Sequence, residues 1–359
     1  HPEGLAHLLV TGFNLYSLAN NHSMDYGEPG LKQTMAHVGA LKGSGLKAAA
    51  GLGKNRDEAS APHTVEVKGA KIGFSAIGIV TNNLERHRAS EAKPGQIAYR
   101  FDDDWGLVRK RLKETPADIR ILSIHYGTEG YVRTDDRQIR EWRGQAARED
   151  DFDIIVGHHA HVVRGVEMSG KSLIMYGLGN FLHHGTANIT GKDVCRNFGL
   201  MTRVHLTRTA AAKWSIGAVE AIPVTDTHYR PARLQGEAGA KRIHALTISR
   251  ARSMPATAPK ACASRHSRTA TASTARARAR LPKARSASCA RPGASRPPSP
   301  PSTPARSPPP ARGESIGARC CCSLSASQPF AGFFGGVVEI HRQPLVGERG
   351  AELHAQEAG

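Results

Sequence analysis

The sequence predicts an α/β fold for residues 1–252. Short apolar runs rich in β-branched residues alternate with segments whose apolar residues recur at helical spacing. Three of these runs, at 13–19, 119–124 and 154–156, each stop at a polar cluster that contains histidine. Open α/β sheets place their ligand sites beyond the carboxyl ends of the strands. The repeated pattern therefore predicts the fold class and also the edge of the sheet at which a functional site should lie.

The individual elements follow from local signals. Apolar residues at helical spacing predict a helix after the first strand, and Gly43 can end it. A turn at Gly69 joins two β-rich runs as a hairpin, and Gly157 is expected to end the strand before the histidine-rich turn. The predicted strands are 13–19, 46–50, 64–67, 71–79, 119–124, 154–156, 162–168, 172–176, 200–206 and 214–222, and the predicted helices are 31–41, 105–112, 136–148 and 238–246.

The composition changes near Ser253, which separates a folded region, 1–252, from a tail, 253–359. The tail has 15 lysines and arginines against 5 acidic residues, so it carries +10 of the net +18 and leaves +8 for the folded region. It also holds 14 of the 21 prolines and few large apolar residues. Such a chain cannot offset its ordering entropy, so we expect the tail to be disordered or an out-of-frame extension. Its arginines are not interleaved with base-stacking aromatic residues, so no specific nucleic-acid binding is expected.

Cysteine usage and hydropathy give little information about the class of protein. Only Cys195 of the six cysteines lies in the folded region, so neither a disulfide framework nor a thiol nucleophile is predicted there. No apolar run reaches the ~18 residues that a membrane span needs, and no signal-peptide pattern is present.

The polar clusters after the three strands supply a set of possible metal ligands. They comprise Asn21, His22 and Asp25; His125 and Glu129; and His158, His159 and His161. If the strands are neighbours, these groups lie at one edge, and imidazole with amide or carboxylate oxygen suits Mn, Fe or Zn. Metal-activated water would make this a hydrolase or phosphoryl-transfer site, with two ions clamping a phosphoryl group. A solvated, histidine-rich turn is the alternative interpretation.

Four motifs at these positions resemble those of the CapA family of capsule-synthesis and poly-γ-glutamate-synthesis proteins. They are LANNHSMDYG, HYGTEGY, GHHAHVV and YGLGNF, beginning at Leu18, His125, Gly157 and Tyr176, and their order and spacing match as well. The resemblance runs from about residue 8 to the neighbourhood of residue 253. That family is similar to the calcineurin-like metallophosphoesterases. The resemblance therefore implies a β-sandwich flanked by helices, with a site for two divalent metal ions at its edge.

The resemblance also implies a role for each matching residue. Asn21 and His125 would bind one metal ion, and His22 would stand over the leaving group as a general acid. His159 would complete the ligands of that ion, and His161 would face its neighbour.

Four other residues are less clearly assigned. His158 is an extra imidazole that could bind metal in exchange for His159. Asp25 and Glu129 could orient the histidines or contact substrate, although solvated or turn-forming roles fit them equally well. Asn180, in the last motif, is expected to be a turn residue outside the site.

The sequence departs from the family in its carboxylates. Members normally begin with a strand ending in Gly-Asp and have a later Asn-Leu-Glu segment, and neither occurs in this chain, which opens at His1. Two cations on neutral ligands would repel each other, so we expect the second metal ion to bind weakly or not at all. We therefore expect a fragment that lacks N-terminal strands, leaves part of its core uncovered and is impaired unless an upstream segment is restored.

The resulting functional expectation is a bacterial CapA-type protein of capsule or poly-γ-glutamate biosynthesis. Its metal-dependent, phosphoesterase-like site would act on a phosphoester or an anionic polymer. The alternative is a non-enzymatic assembly or scaffold protein that binds the polymer or a membrane synthase without turnover. The +8 charge of the folded region fits an acidic partner, and a mildly basic solvated surface explains it equally well. Many relatives are membrane-associated or exported, but nothing in this chain assigns a compartment.

Overall fold

The structure is a computed structural model that describes residues 2–79, 84–183, 197–209, 211, 213–244, 248–250, 318–321 and 337–342. These residues all belong to one unit, formed by His1–Ser264 and Gly317–Gly359. A second unit, Arg265–Ile316, lies outside the described residues, as does Cys195. Within the described ranges, we find no helix with both the length and the apolar character of a membrane span.

Strands and short helices alternate along the chain, as the sequence predicts. The strands are β1 Phe13–Ser17, β2 Ala48–Ala50, β3 Leu52–Gly53, β4 His63–Val67, β5 Ala70–Gly78, β6 Gly95–Gln96, β7 Ile119–His125, β8 Ile154–His158, β9 Val166–Ser169, β10 Ser172–Met175, β11 Phe198–Arg208, β12 Trp214–Thr225, β13 Ala232–Arg233, β14 Ile248–Arg250, β15 Ala318–Cys321 and β16 Val337–Arg342. The α-helices are α1 Pro2–Val10, α2 Gly27–Leu41, α3 Arg56–Ser60, α4 Leu84–His87, α5 Asp102–Glu114, α6 Asp136–Gln138 and α7 Gly236–His244.

Within the part of the chain that the structure describes, the strands form two seven-stranded sheets and one small two-stranded sheet. The first large sheet has the order β14-β9-β10-β8-β7-β5-β4, and its central strands β5, β7, β8 and β10 are parallel. The second has the order β13-β12-β11-β16-β15-β1-β2, and β3 pairs with β6. Parallel central strands joined by helical segments confirm the predicted α/β class.

The two large sheets share one hydrophobic core. Alternate residues of the central strands face opposite sides, so Ile121 and Val156 join β1, β2 and β11 side chains in the shared core. Leu122 and Ile155 face the other side and pack with Trp105 and other residues of the helical segments. A separate apolar cluster lies between α1, α2 and the second sheet. The layers are therefore helix, sheet, sheet and helix, an arrangement of the kind that the family resemblance implies.

Helix α5 shows how the sequence specifies these outer layers. Asp102, Asp103 and Asp104 occupy its first turn and basic residues its last turn, which complements the helix dipole at both ends. Its buried face carries Trp105 and Val108, which pack against the first sheet. This packing holds β7 in position, and with it the residues at the carboxyl end of that strand.

Two elements near the site differ from their predictions. Residues 136–148 are predicted as one α-helix, but only α6 is α-helical and a π-helix continues through Ile139–Ala147. We predict that Gly157 ends its strand, whereas β8 runs through His158 because it keeps pairing with β7 to the end of both strands.

Two segments of the predicted tail are β-strands in the structure. β15 and β16 pair with each other and lie between β1 and β11, in a sheet that is continuous across the strands the structure describes. The expectation that part of the core lies uncovered stays a prediction. Val337–Arg342 contains two valines and an isoleucine, which favour strands, and in this it differs from the composition of the surrounding tail. The remainder of 253–359 lies outside the described residues, where disorder stays a prediction.

Candidate functional site

The parallel register of β7 and β8 places the first two histidines of the site. His125 pairs with His158 at the carboxyl ends of these strands. Both residues are on the face that carries Ile121 and Val156, so their side chains point between the two sheets. Ser123 lies two residues before His125 and therefore shares this face. The sequence prediction that polar groups gather at the carboxyl edge of the sheet is confirmed for these residues.

The loop after β1 brings Asn21 over this edge. Leu18 donates its backbone N–H to the carbonyl of Ala50 at 2.9 Å, which extends the pairing of β1 towards the site. At Gly78, a Cβ atom would lie 2.5 Å from the carbonyl oxygen of Ala19, so only glycine allows the loop to approach β5 this closely. Asn20 then turns the chain by accepting a hydrogen bond from the backbone N–H of His22 at 2.8 Å. The side chain of Asn21 is thereby directed at the end of β7.

Three predicted ligands meet at one point. Asn21 Oδ1 lies 2.7 Å from His125 Nε2. His159 Nδ1 lies 3.0 Å from the same nitrogen. All three residues are buried. The spatial convergence that the sequence suggests for these residues is therefore present.

The donor set of these three atoms fits one metal ion better than two. Ligand atoms that bind a common ion at about 2.1 Å lie roughly 3 Å from each other, which is close to the two separations seen here. An amide oxygen and two imidazole nitrogens are all neutral, so they offer no charge to offset a second cation. Among the residues that the structure describes, no group of three or more His, Cys, Asp or Glu side chains is arranged to hold a metal ion. The fit therefore depends on the amide of Asn21.

His22 and Asp25 form a pair at the open side of the site. His22 Nε2 lies 3.2 Å from Asn21 Nδ2, and its Nδ1 lies 2.8 Å from Asp25 Oδ2. About a third of each side chain is exposed to solvent. Asp25 thus orients a histidine, one of the two roles considered for it. The imidazole of His22 is held next to the three-atom cluster while remaining accessible from outside.

Glu129 and His161 lie at the rim of the same site. Glu129 Oε1 lies 3.9 Å from His159 Nε2, and the glutamate is half exposed. The ring centres of His159 and His161 are 6.3 Å apart. His161 Nδ1 is 2.8 Å from Asn180 Oδ1. Asn180, which the sequence analysis keeps outside the site, is therefore a buried neighbour of a predicted ligand.

His158 does not share the point at which the three ligand atoms meet. Its Nδ1 lies 2.6 Å from His125 Nδ1, and its Nε2 lies 2.9 Å from Ser123 Oγ. His158 therefore flanks His125 on the side opposite His159. Its ring nitrogens face these two neighbours, so the alternative in which it exchanges metal-binding roles with His159 does not fit this position.

The histidine turn has an unusual backbone. The φ angles of His159 and His161 are 93° and 59°, values that side-chain-bearing residues seldom adopt. Such conformations cost free energy and persist where the surrounding structure fixes them, which is frequent at functional sites. The turn brings the ring of His159 back onto His125 directly after His158 has pointed into the core.

Burial keeps these imidazoles neutral at physiological pH. Burial, with neighbouring His159 and His158, lowers the pKa of His125 well below its ordinary value. Burial also lowers the pKa of His158 and of His159 to about 3, with nearby histidines adding to the effect. Neutral imidazole is the form that binds metals, so the site is prepared for a cation without first losing protons from imidazolium.

A buried arginine fixes the loop that carries Glu129. Arg164 donates from Nη1 to Asp135 Oδ2 at 2.6 Å, from Nη2 to the carbonyl of Thr128 at 2.7 Å and from Nε to the carbonyl of Tyr131 at 3.0 Å. Its side chain is completely buried. This guanidinium therefore contributes three of the hydrogen bonds that hold the loop between β7 and α6.

Sequence reasoning missed several residues that build the site. Gln96 accepts a hydrogen bond from Ser23 Oγ and donates to the carbonyl of Ile79 at 2.8 Å, which ties the Asn21 loop to β5. His183 packs edge-on to His161, with ring centres 4.9 Å apart. Ser123 carries a usable signal, since it lies two residues before His125 in a strand. Gln96 and Arg164 are distant in sequence from the residues they hold in place, and no local pattern marks them.

Comparison with known proteins points to a single family. The profile of the family described as "Bacterial capsule synthesis protein PGA_cap" matches residues 1–184. The chain is similar to the Bacillus anthracis "Capsule biosynthesis protein CapA", with 30% identity over 48% of this chain and 40% of the relative. It is also similar to the Bacillus subtilis "PGA biosynthesis protein CapA", with 29% identity over 51% of this chain and 46% of the relative. The chain thus spans less than half the length of these two curated relatives.

One solved structure also resembles this chain. It is described as a hypothetical protein from Thermus thermophilus, with a TM-score of 0.32 and 13% sequence identity. The alignment covers 64% of this chain and 77% of the other.

Proposed function

Because the chain belongs to the bacterial capsule synthesis protein PGA_cap family, we propose that it carries a metal-dependent, phosphoesterase-like site for capsule or poly-γ-glutamate biosynthesis. The fold that we propose for it is the calcineurin-like metallophosphoesterase sandwich. Two sheets that share a core, with the site at the carboxyl edge of one of them, support this assignment. The proposed substrate is a phosphoester or the anionic polymer itself.

The observation that carries the proposal is the meeting of three ligand atoms. Asn21 Oδ1 and His159 Nδ1 come from separate loops, yet they lie 2.7 and 3.0 Å from His125 Nε2 at the end of a strand. A structural histidine needs one partner at each ring nitrogen, whereas two groups face the same nitrogen, Nε2, of His125. Here the protein uses backbone strain at His159 to complete the cluster. We propose that these three residues hold one divalent ion of Mn, Fe or Zn.

His22 is the residue that we propose handles the proton. A bound divalent ion would supply activation of a water molecule or polarisation of a phosphoryl oxygen. Asp25 Oδ2 lies 2.8 Å from Nδ1 of His22 and holds the ring with Nε2 towards the cluster, where Nε2 would exchange a proton with the substrate. The partial exposure of His22 allows a substrate to reach that nitrogen. Glu129 and His161 line the same opening and are proposed to contact substrate or a weakly held second ion.

We propose that turnover by this chain is weak. Effective two-ion sites place negative charge between their cations, whereas the three facing donors here are neutral. A single ion can still activate water. It offers no second cation to stabilise a leaving oxygen, so the chemistry then depends on His22.

Calorimetry and a chromogenic phosphodiester test this proposal together. We expect one Zn²⁺ or Mn²⁺ per chain, and loss of binding in H125A and in H159A. We expect H22A to keep metal binding while hydrolysis of bis(p-nitrophenyl) phosphate falls by about 10²-fold or more. H37A, which removes an exposed histidine from α2, is the matched control and should change neither quantity. Absence of metal binding by the unaltered chain would refute the proposal.

A second candidate function is a non-enzymatic assembly or scaffold protein. It is favoured by the net charge of +8 on residues 1–252, which fits an acidic partner. Such a protein would bind the anionic polymer or a membrane synthase with the same fold. Polymer binding that is unaffected by H125A and H159A, with no hydrolysis in any variant, would favour this candidate over the enzyme.

A further inference from the structure

A buried line of hydrogen bonds extends behind the proposed metal site. It runs from Ser123 Oγ to His158 Nε2 at 2.9 Å, from His158 Nδ1 to His125 Nδ1 at 2.6 Å, and from His125 Nε2 to Asn21 Oδ1 at 2.7 Å. Ser123, His158 and His125 are each at most 1% exposed. The mechanism proposed above uses His125 and Asn21 but gives Ser123 and His158 no role.

The direction of these hydrogen bonds follows from the groups themselves. The amide oxygen of Asn21 can only accept, so in the metal-free protein His125 carries its proton on Nε2. His125 Nδ1 is then a lone pair, and only one proton fits between the two facing Nδ1 atoms. His158 must supply that proton from its own Nδ1. Its Nε2 is therefore an acceptor, and it receives the hydroxyl proton of Ser123.

A metal ion bound at His125 would require the reverse arrangement. It would need the lone pair of Nε2, so His125 would carry its proton on Nδ1 and donate it to His158 Nδ1. His158 would then carry its proton on Nε2 and donate it to Ser123 Oγ, which can accept as well as donate. Relative to the metal-free protein, one proton would be lost from Nε2 of His125 and one gained at Nε2 of His158. Both rings stay neutral, and the number of protons on the pair is unchanged.

We propose that His158 and Ser123 are positioning residues, which fix the ring orientation and proton placement of His125 and reverse together when His125 binds metal. The reversal rests on the proposed function, but the metal-free arrangement does not. The second nitrogen of His125 faces another imidazole and not a carboxylate or carbonyl. An imidazole can act as hydrogen-bond donor or acceptor. A fixed acceptor would hold His125 permanently in its metal-binding form.

Nitrogen-15 NMR of the metal-free protein is the first test. We expect a protonated Nε2 in His125 and a protonated Nδ1 in His158. H158L should shift the His125 resonances towards a tautomer mixture, whereas H158N, which keeps a polar group near the position of Nδ1, should preserve the wild-type pattern. The proposal is overturned if H158L leaves the His125 resonances unchanged while the protein remains folded by circular dichroism.

Zn²⁺ affinity measured by calorimetry is the second test. We expect H158L to weaken binding by about 10- to 100-fold, as is typical when the partner of a ligand histidine is removed, and H158N to recover most of it. S123A should weaken binding, whereas S75A, in a buried serine of the neighbouring strand β5, should not. Equal affinity in wild type and H158L would also overturn the proposal. If wild type binds no Zn²⁺ while H158L still changes the His125 resonances, the proposed function fails and the positioning role is supported.

Discussion

His158 and His159 lie on opposite sides of the His125 ring, because His158 belongs to a strand and His159 does not. His158 is the last residue of β8, so strand alternation directs its ring into the space between the sheets. His159 has a φ of 93°, which turns its ring back towards the other nitrogen of His125. The two imidazoles therefore flank His125 from both sides. The sequence identifies both as possible metal ligands. Which of the two is the ligand depends on the residue at which the strand ends, and the sequence does not specify that residue.

Arg164 offers a prediction at the same scale. R164M removes a buried guanidinium, so Asp135 keeps its hydrogen bonds from Thr128 but loses its ion-pair partner, and two backbone carbonyls lose the arginine as a donor. Loss of one partner of a buried ion pair should lower the free energy of unfolding by about 3 to 5 kcal/mol. Urea denaturation followed by circular dichroism measures this. The control R133M removes an arginine that is 80% exposed and should cost no more than about 0.5 kcal/mol. Equal losses in both variants would contradict the role given to Arg164.

At the scale of elements, the sequence predicts existence and type better than boundaries. The apolar runs at 119–124 and 154–156 are strands, and the helical spacing after β1 is a helix. Boundaries depend on pairing partners that are remote in sequence, which is why β8 continues through His158 beside β7. The π-helix after α6 and the loop held by Arg164 are likewise set by tertiary contacts. These features of the candidate site could not be predicted from local patterns.

The approach of the Asn21 loop to β5 gives a prediction for these elements. G78A places a Cβ atom 2.5 Å from the carbonyl oxygen of Ala19, so we expect a loss of about 1 to 3 kcal/mol in unfolding free energy and weaker Zn²⁺ binding. G39A lies in α2 with no atom within 4 Å of the added Cβ, and should stabilise the protein by about 1 kcal/mol. Thermal or urea unfolding of both variants checks the pair. A G78A protein with wild-type stability and Zn²⁺ affinity would show that the close approach is not required.

For the whole molecule, two sheets sharing one core create a buried edge at which polar residues can gather. The sequence indicates this arrangement through runs that end in polar clusters, and the predicted convergence of Asn21, His125 and His159 is observed. It does not reveal that β15 and β16 complete the second sheet, because pairing across such a separation leaves no local signal. The cost of the arrangement is that several imidazoles are buried in neutral form.

That burial predicts how stability depends on pH. The pKa of His158 and of His159 is about 3 in the folded protein, against an ordinary value of 6.5. Between these values the unfolded chain binds more protons, so stability is complete above about pH 6.5 and falls as the pH is lowered towards 3. Each histidine should contribute a loss of about 1.4 kcal/mol per pH unit within this window. Urea unfolding at a series of pH values measures the slope. H158N should reduce it by one histidine's share, and an unchanged slope would contradict this account.

The convergence of three neutral donors on one ion is tested most directly by anomalous X-ray scattering from crystals of the protein soaked with Zn²⁺. We predict one peak within about 2.3 Å of Asn21 Oδ1, His125 Nε2 and His159 Nδ1. A peak held by other residues, or crystals that bind no Zn²⁺ at this point, would contradict the assignment of the site.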